Sequence, residues 1–322
     1  MFADSPTAPR RSRHKGPRSF LTAVLAALLF VALFGLAAFA LTGCGASEET
    51  TGASFEAQSS ISTASFHESK AEGANGAYVD TSATDKGYVA AKANASSKLK
   101  LQVTSGQQSN NYDLPNNGRA IVCPLTFGDG NYTFRVMQNT SGNNYVEIYR
   151  TSADVELDSE FEPFLRPNVY CDYDENSACV AKARELVANA ETQADALKAI
   201  CSYVVENISY DNTKAEKLKK ATGYVPDPDE TLESGSGICF DYASLGAAML
   251  RSQGIPTKIT TGYVSPDNIY HAWIMVYIDG SWTGAQFDIE SKTWSRVDLT
   301  FAASAGTNNV SDGKDYQDRF TY

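Results

Sequence analysis

"SGSGICFDYASLGAAMLRSQGIP", residues 234–256, sets two glycines and a cysteine ahead of a run of small and apolar residues. Ala243, Leu245, Ala247, Ala248, Met249 and Leu250 follow a helical pattern that Gly254 and Pro256 end. The spacing predicts a helix with Cys239 in its first turn. Unsatisfied amide groups and the macrodipole favour an anion there, and the thiolate is the form of cysteine that attacks. Gly235 and Gly237 are expected to leave room for a substrate backbone beside the sulfur, with Gly237 in the cleft wall.

A nucleophilic thiol needs a base. The chain holds three histidines. His14 falls in an N-terminal leader and His67 in a Ser-rich stretch read as unstructured, which leaves His271. Residues 271–289, HAWIMVYIDGSWTGAQFDI, read as a hairpin turning at Asp279-Gly280. A two-residue turn sets Ile278 opposite Ser281 and, counting back along both strands, His271 opposite Asp288. Directly opposed side chains share a face with their β-carbons about 5 Å apart, so Asp288 is expected to orient the imidazole as the third member of a triad. An odd loop or a bulge would break that register, with Asp298 as a competitor and Asp279 consumed by the turn. The same face would carry Trp273 and Gln286 as cleft walls or ring supports.

Upstream, alternating segments LKLQV, RAIVCPLTF, NYTFRVMQ and NNYVEIYR read as short strands, giving a small β-rich module over residues 98–160. A proline-bearing linker, FEPFLRPNVYCDYD, leads to two helices with apolar stripes at Val180, Ala183, Val187 and Ala190, then Ala194, Leu197, Cys201, Val204 and Ile208. Residues 211–233 are polar and read as a loop, with PDPDE at 226–230 taken as solvated rather than as a calcium site. TKITTGYV at 257–264 reads as a strand.

The first nineteen residues carry five Lys/Arg, and Phe20 to Thr42 has no charge, as in a secretory leader. An uncleaved membrane span is the alternative. Leu41-Thr42-Gly43-Cys44 resembles the lipobox of bacterial lipoproteins, which implies cleavage after residue 43, acylation of Cys44 and attachment to the outer face of the cell membrane. Residues 44–97, rich in Ser, Thr, Ala and Gly, are expected to form a flexible tether. The net charge of −11, more negative still once a leader with five basic residues and one acidic residue is removed, argues against a nucleic-acid partner. In an oxidising compartment Cys123, Cys171, Cys179 and Cys201 are expected to form disulfides in one of three pairings, leaving Cys239 free.

Taken together, SGSGICFDYASLGAAMLRSQGIPTKITTGY, HAWIMVYIDGSW and Asp288 resemble the transglutaminase-like core of the papain-type cysteine hydrolase superfamily, over about residues 165–300. The resemblance implies an α+β fold in residues 161–322, a Cys-bearing helix packed on an antiparallel sheet that carries His and Asp. It also implies acyl transfer from a peptide or protein amide through a thioester on Cys239. The oxyanion would be met by the Cys239 N–H and an upstream side chain, for which Tyr210 is the candidate. No metal or organic cofactor is required. Animal transglutaminases use a tryptophan upstream of the cysteine. Trp273, Trp282 and Trp294 all lie downstream here, which tilts the expectation from cross-linking toward hydrolysis. A silent binding or scaffold domain at the cell envelope is the rival reading.

Overall fold

The computed structural model describes residues 50–219, 221–265, 268–283, 287–304 and 316–322. The leader, Cys44 and Gln286 lie outside the described residues. Glu48–Tyr322 forms one compact unit of mixed helix and antiparallel sheet, the α+β class expected.

The Cys239–Ser252 helix lies at its centre. Every residue from Asp241 to Ser252 is buried, because Ala243, Gly246, Ala247 and Ala248 let neighbours approach on all sides. A β-carbon on Gly246 would lie 2.5 Å from Leu299 Cδ1. Against this helix pack the helices Ala178–Leu186 and Gln193–Asn207 and a four-stranded antiparallel sheet. The strand order in that sheet is Trp294–Val297, Ile269–Tyr277, Thr257–Val264, Tyr316–Thr321. The end of the central helix is tied down by buried Arg251, which donates to the carbonyls of Thr257, Arg166 and Tyr322.

The β-rich part is larger than residues 98–160. One sheet joins Gln108–Leu114, Leu99–Ser105, Gly130–Ser141 and Asn144–Val155. Leu99, Leu101 and Val103 alternate inward against Tyr132, Phe134 and Val136. A second sheet joins Glu72–Ala74, Ala77–Asp80, Tyr88–Ala93 and Ile121–Pro124. Three of its strands belong to the segment read as a tether. That expectation fails because YVAAKA supplies small residues that bury on both faces, with Val89, Ala90 and Ala91 fully inaccessible. His67 is likewise structured: its Nδ1 lies 2.9 Å from Asp80 Oδ2. The polar stretch 211–233 is also corrected. It contains the helices Asn212–Leu218 and Pro228–Ser234, capped by Asp211 and Asp227.

The disulfides expected among Cys123, Cys171, Cys179 and Cys201 are not formed. All four are buried free thiols on different elements, and Cys171 donates to the Ser244 carbonyl. Burial pushes the Cys171 thiol up to about 11 and raises Cys123, Cys179 and Cys201 as well, so these sulfurs serve the core as small apolar groups.

Candidate active site

Cys239 is the first residue of its helix, and the turn before it is set by Asp241. That buried carboxylate accepts from the Ile238 N–H at 2.8 Å and from the Tyr224 hydroxyl, and pairs with Lys214 Nζ at 2.8 Å. A β-carbon at position 237 would lie 2.6 Å from the Asp241 Cβ. Gly237 is buried and yields to Asp241 rather than opening a path for substrate. Gly235, at φ +60°, is the left-handed cap ending the preceding helix. The short parallel pair of Ser209–Tyr210 with Ser236–Gly237 brings Tyr210 to the same spot, where burial and the neighbouring Cys239 and Asp241 raise its pKa.

His271 sits on the central strand of the sheet, 6% exposed, within hydrogen-bonding reach of the Cys239 thiol. Its Nε2 lies 2.8 Å from Asp298 Oδ2, which leaves Nδ1 for the sulfur. The carboxylate that meets His271 is therefore Asp298 and not Asp288. The Asp279-Gly280 hairpin does not form as expected. Gly280–Thr283 leaves the sheet to pair with Thr50–Gly52 on one side and Asp288–Ile289 on the other, where Asp288 opposes Thr283 and is exposed. A β-carbon on Gly52 would lie 2.3 Å from the Asp279 carbonyl oxygen, so the close approach of these two segments requires glycine.

The edge beside His271 is taken instead by Trp294–Val297, with Tyr277 opposite Trp294 and Ile274 opposite Val297. One residue past the end of that strand, the chain delivers Asp298 to His271. Asp298 is held from three sides. Its Oδ2 faces His271 and accepts from the Tyr316 hydroxyl at 2.8 Å, and its Oδ1 accepts from the Phe301 N–H as cap of the helix Leu299–Ser304. An aspartate three residues ahead of the amide it caps is a sequence signal for a helix start, and in D-L-T-F it was legible.

Burial works against a charged imidazole, but hydrogen bonds and charge from Asp298 and Cys239 outweigh it and push the His271 pKa up to about 10. The Phe301 ring stacks on the imidazole at 4.6 Å and Trp273 lies behind it at 6.3 Å. Trp273 is 1% exposed, so it supports the ring rather than walling the cleft. The cleft itself is a cavity of about 560 Å³ that opens on Cys239 and His271. Tyr170, Tyr210, Tyr224, Phe240 and Tyr270 surround them.

With a thiol, an imidazole and a carboxylate in line, the site has the parts for nucleophilic acyl transfer. Residues 180–298 match the family model described as the Transglutaminase-like superfamily, a match that ends on Asp298. This stretch is a transglutaminase-like domain. Among curated proteins, a UPF0252 protein of Methanocaldococcus jannaschii is 26% identical over 148 residues, covering 44% of this chain and 40% of its own length. An uncharacterised protein of Mycobacterium leprae is 28% identical over 132 residues, covering 38% of this chain and 44% of its own length. The chain thus matches less than half the length of either relative. A solved structure of a proposed cysteine protease from Cytophaga hutchinsonii is similar at 15% identity and a TM-score of 0.33, covering 73% of this chain and 91% of that one.

Proposed function

We propose that the protein is a cysteine hydrolase of the transglutaminase-like class that cleaves a peptide or amide through a thioester on Cys239. The observation that supports this most is that Cys239 and His271 line one cavity while His271 Nε2 lies 2.8 Å from Asp298 Oδ2. In this reading His271 already holds the proton taken from the thiol, and the sulfur attacks the carbonyl carbon beside the protonated imidazole. The imidazole then gives that proton to the leaving amine as the carbon–nitrogen bond breaks. Water adds to the thioester, the acid leaves, and the thiol is restored. The Cys239 N–H and the Tyr210 hydroxyl stand as donors to the oxyanion.

Hydrolysis is favoured over cross-linking because the described lining of the cavity is tyrosine-rich and contains no tryptophan. In this reading the protein acts at the outer face of the cell membrane on an acylated Cys44, which the charge-free leader and the Leu41–Cys44 motif support. Alkylation tests the reading against a silent binding domain. Native protein is expected to react with iodoacetamide at Cys239 faster than an unfolded-peptide cysteine, and His271→Ala to slow it by roughly tenfold or more. Equal rates in all three would sink the enzyme.

A further inference from the structure

We propose that the substrate cleft continues from the catalytic helix onto the N-terminal sheet, where Lys98 and Lys100 receive a carboxylate of the peptide. The proposal rests on the hydrolase reading and adds its substrate class: a peptide with an apolar residue at the thiol and an acidic residue further along.

Two cavities meet at this place. The one around Cys239 and His271 is lined in part by Asp113 and Gly223. The same two residues line a second cavity of about 650 Å³ over the strands Leu99–Ser105 and Gln108–Leu114. Gly223 has φ +78°, and a β-carbon there would lie 2.7 Å from Asp113 Oδ2, so these two residues pack against each other and a peptide running from one cavity to the other would cross over them. At the near end, Tyr210, Ile269 and Tyr270 are large apolar side chains left 40%, 57% and 49% exposed. Such a rim suits an apolar side chain of a bound peptide.

The far end has the opposite character. Lys98, Lys100, Asn111, Asn116, Asn143 and Tyr145 line it together with Asp113. Asp113 is matched by Lys100 at 2.8 Å, and Lys100 also lies 5.8 Å from the centre of the Tyr145 ring. Lys98 is exposed and forms no ion pair among the described residues. Two lysines and one aspartate therefore line this cavity, a local positive excess on a chain of net charge −11. An extended peptide advances about 3.3–3.6 Å per residue, so one of about ten residues reaches roughly 33 Å.

Binding to the Cys239→Ala protein, measured by fluorescence anisotropy, tests this without turnover. The probes are labelled Ala/Tyr peptides of about ten residues with a single Glu moved through each position, and their Gln counterparts. At one or two adjacent positions Glu is expected to bind about fivefold or more tighter than Gln, an advantage that shrinks with added salt. Lys98→Ala should remove most of it and Lys98→Glu should reverse it, with Lys100→Gln as a second variant; melting curves confirm that each remains folded. Glu and Gln peptides binding alike at every position, neither binding up to millimolar concentration, or a Glu preference that survives Lys98→Glu would overturn the proposal. Iodoacetamide labelling of the wild-type thiol reports separately on the hydrolase reading, so either can fail while the other stands.

Discussion

At the scale of single residues, Asp298 decides what His271 can do. Its hydrogen bond and charge are a principal reason the imidazole stays protonated up to about pH 10. The sign follows from linkage: the stability this histidine contributes is complete below about pH 6.5 and is lost as pH rises through about 10. Asp298→Ala is expected to lower kcat/KM by about a hundredfold or more and to move the alkaline limb of the pH–rate profile to lower pH. Asp288→Ala, at an exposed strand position, should stay within about twofold of wild type. A profile whose limb does not move in Asp298→Ala would show that another group sets it. Thiol chemistry separates along the same lines. Mass mapping after brief iodoacetamide treatment of native protein is expected to find label on Cys239 well ahead of Cys123, Cys171, Cys179 and Cys201. All of these should label once the chain is unfolded in urea.

At the scale of elements, Gly237 and Asp241 set the start of the Cys239–Ser252 helix. Gly237→Ala forces a methyl group to within 2.6 Å of the Asp241 Cβ, an overpacking that costs about 1–3 kcal/mol. Because the same carboxylate holds the Ile238 N–H, the alkylation rate of Cys239 should fall along with the urea midpoint. The sequence disclosed these elements unevenly. The central helix, its cysteine and the strand TKITTGYV were legible because a strong apolar pattern and clear Gly/Pro stops mark them. His271 was reached by eliminating His67, yet His67 proved to be folded against Asp80, so that choice rested on a premise that does not hold. The partner carboxylate was missed for a different reason. Local turn chemistry at Asp279-Gly280 suggests a hairpin, but pairing with a strand more than 200 residues away overrides it. That long-range partner, Thr50–Gly52, carries no hydrophobic signature of its own.

At the scale of the whole molecule, the boundary drawn at residue 160 separates parts that share a core. Tyr112 of the N-terminal sheet packs 5.9 Å from Tyr170 and 6.0 Å from Tyr322. The Val169 N–H donates to the Val122 carbonyl, and Arg166 Nε to that of Lys86. A fragment of residues 161–322 alone is expected to lose the near-ultraviolet circular dichroism of the buried Trp273 and to bind hydrophobic dye. The chain from residue 48 onward should unfold in one cooperative transition. Two separated transitions, or a fragment with native-like aromatic signals, would mean that the catalytic part folds by itself.

Asp298 is bound to two duties at once, as cap of the Leu299–Ser304 helix and as partner of the imidazole. A lineage that gave up turnover would still be under pressure to keep it, since the helix start would suffer from its loss. In judging whether a descendant of this chain still works as a catalyst, its aspartate is therefore a poor witness. The sulfur at 239, which is half-exposed and caps nothing with its side chain, is free to drift as soon as chemistry is no longer selected, and its presence is the better sign.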